Sequence, residues 1–168
     1  EADISTSSGT FYRTKEDSTG SVELIFMHDS IISTLYLSFN NDGLIELDDY
    51  DAYRLLPLNK KPHLTSMTYQ DEKALSIHNL PYFTNENVNI ELDVMSLDIN
   101  NNNFATNENE IIMQWDLDNL PEHISLNLID NISDVTTNLN NEEELIFTTV
   151  EKGSFLPYSS ESVVGLYP

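Results

Sequence analysis

The sequence contains no cysteine, which removes disulfides, thiolate metal sites and thiol nucleophiles together. Lysine and arginine number only 7 against 29 aspartates and glutamates, a formal net charge of -22 at pH 7. A surface of that sign repels phosphate backbones and anionic lipid headgroups, so nucleic-acid partners and peripheral membrane attachment are both disfavoured. Glycine is scarce, at 5 residues, and none stands in a G-x-G-x-x-G or G-x-x-x-x-G-K-[ST] arrangement. Nucleotide-binding loops are thereby excluded. No apolar run approaches the ~18 residues of a membrane span, and no G-x-S-x-G nucleophile elbow is present. The start, Glu1-Ala2-Asp3-Ile4-Ser5, has neither a basic region nor a Met, and it reads as a piece of something longer.

What the 168 residues do contain is a core-forming fraction, 39% hydrophobic and 10% aromatic, too apolar for a disordered acidic tail. The 19 asparagines favour turns over long helices. Between them lie short alternating segments. Val22, Leu24 and Phe26 share one strand face, as do Ile31, Leu35, Leu37 and Phe39, which predicts a hairpin over residues 21–39. A second pair is expected from His63–Tyr69 and Lys73–Leu80, with Leu75 and Ile77 inward and Ser76 and His78 outward. Val88, Ile90, Leu92 and Val94 then change phase to Met95, Leu97 and Ile99, which predicts a bulge near Val94-Met95. Further segments centre on Ile111–Leu117, Ile124–Leu128, Leu145–Thr149 and Val163–Tyr167.

No apolar i, i+3, i+4, i+7 pattern lasts three turns, so at most one short helix is expected, at Tyr50–Leu56 before Pro57. The expected fold is all-β: an antiparallel two-sheet β-sandwich, jelly-roll-like, of about nine or ten strands. Residues 1–20 form a lead-in that can supply a first edge strand, and residues 21–168 form a single domain. The Asn-rich tract from Asn100 to Asn109 is expected to be a mobile surface loop.

Candidate sites come from acids and aromatics. Asn40-Asn41-Asp42-Gly43, followed by Asp48, Asp49 and Asp51, supplies the oxygen ligands that Ca²⁺ prefers. The competing reading is a hairpin turn with a capping Asp, in which Arg54 pairs with a carboxylate. No other cofactor is required. His28, His63, His78 and His123 fall in separate segments with no metal-ligand spacing, and Trp115 shares parity with Ile111, Met113 and Leu117, which predicts a core role. Tyr50, Tyr53 and Tyr82 lie at segment ends beside acids, where their rings can meet a sugar face. Ser/His/Asp hydrolysis, phosphate chemistry and thiol chemistry lack their motifs, so no enzymatic activity is expected.

The string Asp48-Asp49-Tyr50-Asp51-Ala52-Tyr53-Arg54-Leu55, followed by Leu75-Ser76-Ile77-His78-Asn79-Leu80-Pro81, resembles a β-sandwich module of Bacteroidetes-type secreted proteins. The downstream order is similar: Ile111–Leu117, Asn119-Leu120-Pro121, Ile124–Asn131 and Leu145–Thr148. Arg54 departs from the lysine more usual in that pattern, and the sorting domain that normally follows is expected beyond the given residues. The resemblance implies a non-catalytic accessory module lying upstream of a type IX secretion sorting domain, secreted or at the cell surface. Its partners would be neighbouring domains of the same polypeptide. Asp29-Ser30-Ile31 and Asp17-Ser18-Thr19 also resemble the short O-glycosylation pattern of such proteins. The alternative function is a carbohydrate-binding module, calcium-assisted, with polysaccharide as partner.

Overall fold

Strand β1 (Thr19–His28) buries Val22, Leu24 and Phe26, and β2 (Ile31–Asn40) buries Leu35, Leu37 and Phe39. Their antiparallel register sets Val22 opposite Leu37 and Leu24 opposite Leu35, so the apolar faces coincide. Between them Asp29 sits at φ 52 in a two-residue turn, a conformation its short side chain tolerates. The hairpin predicted over residues 21–39 is present. The computed structural model describes residues 18–55, 63–84, 87–100, 103–105, 109–130, 134–149 and 162–167, of which 97–100, 103–105 and 162–167 are described as backbone.

The remaining strands are β3 (Ala52–Tyr53), β4 (His63–Gln70), β5 (Lys73–Pro81), β6 (Val88–Asn100), β7 (Asn103–Ala105), β8 (Glu110–Asn119), β9 (Ser125–Asp130), β10 (Val135–Asn138), β11 (Glu144–Thr148) and β12 (Ser162–Tyr167). The chain is all-β, with no helix among the described residues. Ten strands run in the order β10-β9-β12-β6-β4-β5-β2-β1-β8-β11, β3 adds to β5, and β7 folds back on the end of β6 as a small second ladder. The second expected hairpin is β4–β5, turned by Asp71 and Glu72 with both φ angles positive (50 and 63), the geometry of a type I′ turn.

One pairing departs from the antiparallel expectation: β2 and β5 are parallel, with Leu37 beside His78 and Phe39 beside Leu80. After β2 the chain runs through residues 41–62, descends β4 one position away, and returns along β5 between the two. Strands filling such a gap must run in the direction of the first, and the long connection makes this possible.

Two local expectations are also corrected. There is no bulge at Val94-Met95; β4 and β6 pair without interruption from His63 opposite Leu97 to Tyr69 opposite Glu91. The phase change arises because Leu64–Thr68 and Leu92–Ser96 are buried at every position, so both faces carry apolar residues. Nor does Tyr50–Leu56 begin a helix: Ala52 and Tyr53 form β3 against Ile77 and Leu75. The Asn-rich tract is only partly described, but Asn103–Ala105 is strand, and Asn109 is buried and donates its Nδ2–H to Ser96 Oγ at 2.7 Å.

Buried side chains of β1, β2, β6, β8 and β9 form one cluster together with Leu64, Leu80, Ile124 and Leu139. Strands far apart in the order share this core, so the sheet curls around its apolar face as a half-barrel. Trp115 packs against the cluster as expected, and its Nε1–H donates to the Leu139 carbonyl at 2.8 Å. Leu139 N–H in turn donates to Leu126 of β9 at 3.0 Å, tying the two flanks of the sheet together. No helix among the described residues is long and apolar enough to cross a membrane.

Candidate functional site

The start of β1 and the ends of β2, β5 and β8 meet at one end of the sheet, and most candidate residues leave from there. Residues 41–51 form its first loop. Gly43 is required by close approach: a Cβ would lie 2.2 Å from the Leu80 carbonyl oxygen and 2.8 Å from Asn79 Nδ2. At the centre is Asn79, 1% exposed. Its Oδ1 accepts from Ser38 Oγ at 2.9 Å and from Asn40 Nδ2 at 2.8 Å, while its own Nδ2 donates to Asp48 Oδ2 at 2.8 Å.

Asp48 also accepts from the backbone N–H groups of Leu44 at 3.0 Å and Tyr50 at 2.8 Å. Asp51 accepts from Asp48 N–H at 2.8 Å and Asn79 N–H at 2.7 Å. These carboxylates draw the backbone into a side-chain-stapled loop, which competes with helix formation and explains the missing turn at Tyr50. Burial pulls the Asp48 carboxyl upward, but the hydrogen bonds from Asn79, Leu44, Tyr50 and Asp51 outweigh it and hold it below its ordinary value.

The four expected calcium ligands therefore separate into two kinds. Asp48 and Asp51 are engaged by N–H donors, whereas Asp42 and Asp49 are exposed. Among the described residues no group of three His, Asp or Glu side chains gathers around a common point. Arg54 does not join the carboxylates; its Nη2 donates to the Thr34 carbonyl, and burial lowers its proton affinity.

His78, expected to face outward, is 2% exposed, with Nδ1 3.1 Å from Thr68 Oγ1. The cause is the register of β5 beside β2, which aligns His78 with core residue Leu37. Desolvation lowers the imidazole's pKa against the opposing pull of Asp51 and Asp48.

The three tyrosines do not converge. Tyr53, 55% exposed, lies on β3 with Lys73 Nζ 5.8 Å from its ring centre. Tyr50, 56% exposed, lines a cavity of about 350 Å³ with Thr19, Asn40, Asn41 and Asp42. Tyr82 packs partly on the core and lines a second cleft of about 480 Å³. Thr19 borders both cavities, so Tyr50 and Tyr82 belong to one end of the molecule and Tyr53 does not.

The second cleft contains residues that the acidic and tyrosine patterns did not single out. Phe83, 68% exposed, stacks on His123 with ring centres 5.0 Å apart and an interplanar angle of 18°, and Tyr82 meets Phe83 edge-on at 4.9 Å. The Tyr82 carbonyl accepts from His123 Nε2 at 2.7 Å. A carbonyl can only accept, so Nε2 carries the hydrogen. Asp118 and Glu122, both exposed, also line this cleft.

Asp118 is turned out by an irregularity in β8: Ser21 pairs with Asn119 but Glu23 with Asp116, leaving one extra residue on the β8 side. Gly20 makes room there, since a Cβ would lie 2.8 Å from both the Asn119 carbonyl oxygen and the Pro121 ring. A signal for this cleft was present in the sequence. Asn79-Leu80-Pro81-Tyr82-Phe83 and Asn119-Leu120-Pro121-Glu122-His123 share their first three residues, and the residues two places after each proline are the stacked pair. No family model matches the chain, and neither a curated protein nor a solved structure matches it.

Proposed function

We propose that the chain is a non-catalytic accessory module of a larger secreted or cell-surface protein, spacing or presenting a neighbouring domain. Its curled sheet would serve as the two layers of a sandwich or jelly roll do. The observation that carries this reading is the fate of His78. The imidazole is sealed from solvent, and the carboxylates that act on it, Asp48 and Asp51, are occupied with stapling a loop. This assembly of acid and base is spent on architecture.

The resemblance to Bacteroidetes-type modules supports the extracellular assignment. The two strings that carry it lie against each other, Ala52 pairing with Ile77 and Asp51 accepting from Asn79 N–H, as befits a structural signature. The test has two arms. The chain should turn over no member of a panel of chromogenic glycosides, esters and peptides, and an antibody against it should label intact cells or culture medium of the source organism. Turnover above background, or a signal confined to cell lysate, would refute the reading.

A second reading, a carbohydrate-binding module, is favoured by the placement of Tyr50 and Tyr82 around Thr19 beside Asp42, Asp118 and Glu122. Calorimetry following a glycan array decides it; no saturable heat with any polysaccharide removes it.

A further inference from the structure

Resting on the carbohydrate reading, we propose that the cleft between Phe83-His123 and the Asp118–Glu122 loop binds a glycan carrying free, protonated amino groups. Three features of the lining select this class. The Phe83 ring is 68% exposed and held flat against His123, which presents an apolar platform with a negative face to a sugar ring or a cation. Ser18, Thr19 and Asn119 supply short hydroxyl and amide groups, suited to a ring bearing several hydroxyls. Among the described lining residues Asp118 and Glu122 are the acidic side chains, and no lysine or arginine is found there.

A neutral sugar satisfies the first two features and leaves the carboxylates uncompensated. A lysine-rich peptide satisfies the third and can meet the hydroxyl and amide groups through its backbone, but brings no flat sugar ring to the Phe83 face. An amino sugar engages all three, and the -22 net charge of the chain raises its local concentration while repelling uronate or sulfated glycans. The cavity, about 480 Å³, lies within the ~300–1,000 Å³ of small-molecule sites. The platform is also rigid, because the His123–Tyr82 hydrogen bond, the edge contact of Tyr82 and the packing of Tyr82 on the core fix both loops.

The experiment is calorimetry on the full chain near physiological salt, which screens the diffuse field beyond about 8 Å. Three probes are titrated at mildly acidic pH: a glucosamine hexamer, an N-acetylglucosamine hexamer and hexalysine. Saturable binding of the glucosamine hexamer, at least tenfold tighter than either comparison probe, is expected. Asp118→Asn and Glu122→Gln should each weaken it about threefold to tenfold, and Phe83→Ala about tenfold or more. Asp29→Asn, the same charge change at the far end of β1, should leave it unaltered, with melting temperature checking that every variant is folded.

Equal binding of the acetylated hexamer would overturn the amine requirement while keeping a glycan site. Equal binding of hexalysine, or equal loss in Asp29→Asn, would reduce the effect to general charge attraction and overturn the proposal. No heat with the glucosamine hexamer overturns it too, and no heat with any glycan on the array removes the carbohydrate reading beneath it.

Discussion

Residues 41–51 and residues 118–123 leave the same end of the sheet, and both carry acids beside an aromatic residue, half-buried and exposed in the first and exposed in the second, but their hydrogen bonding differs. In the first loop Asp48 and Asp51 together accept five N–H donors from Leu44, Asp48, Tyr50 and Asn79. In the second, Asp118 and Glu122 point into an open cleft next to the Phe83–His123 stack. The first loop folds over strand end β5, whose Asn79 provides donors inside the structure, whereas the second follows an irregular strand end that faces solvent. Density of acidic residues therefore says nothing of how many carboxylates remain open to a ligand. What separates them is whether each carboxylate already has a donor.

The largest test of this contrast is Asn79→Asp. It exchanges the donor that reaches Asp48 for a second carboxylate in a buried position, and an unpaired charge there is expected to cost at least ~3 kcal/mol. At ~2–4 °C per kcal/mol for a chain of this size, thermal denaturation should show a fall of several degrees; a change under about 2 °C would mean the staple does not support the fold. Gly43→Ala is expected next, at about 1–3 kcal/mol, because its methyl group meets the Leu80 backbone rather than a yielding side chain. Chemical denaturation measures it, and a neutral result would place the loop farther from β5 than it stands here.

Stability against pH reads the same region. The folded pKa of His78 lies below its ordinary value of 6.5, so the unfolded chain takes up the proton first as pH falls. Stability present above about pH 6.5 should decline as pH drops through the folded value, and His78→Gln should flatten that limb. Asp48 behaves as a depressed carboxylate: its contribution is complete above its ordinary value and disappears as pH falls through the lowered one. A wild-type profile that His78→Gln leaves unchanged would show that the imidazole is hydrated.

The cleft predicts the smallest effects on folding. Phe83→Ala, Asp118→Asn and Glu122→Gln should each alter stability by no more than about 0.5 kcal/mol, since the groups removed face solvent. A larger loss in denaturant melts would assign the cleft a structural role like that of the first loop. Calcium completes the series. With Asp48 and Asp51 already holding donors, millimolar Ca²⁺ should shift the melting temperature by less than ~2 °C, and a clear rise reversed by chelator would make Asp42, Asp48, Asp49 and Asp51 a cation site.

Strand content was legible because a period of two survives wherever one face is buried and the other wet, as along Val22, Leu24 and Phe26. It failed where that asymmetry fails. From Leu92 to Ser96 both faces are buried, and alternation there cannot distinguish a bulge from a strand covered on two sides. The outward assignment of His78 failed for a related reason, since its neighbour is β2, forty residues earlier, in a parallel register that local spacing does not encode. Tyr50 and Tyr82 stand out by their positions at strand ends and each lines a cavity there; the pairing of Phe83 with His123 has only the repeated Asn-Leu-Pro before each as its trace in the sequence.

The amino-acid sequence by itself determined the all-β character, the two hairpins, the apolar strand faces and the negative shell, because each follows from side-chain period, turn chemistry and charge over a few neighbouring residues. Tertiary structure alone decided the parallel β2–β5 pairing, the burial of His78, the use of Asp48 and Asp51 as staples and the meeting of Phe83 with His123. Each of these depends on which distant segments become neighbours when the sheet curls around one core, and that choice is made by packing the whole chain.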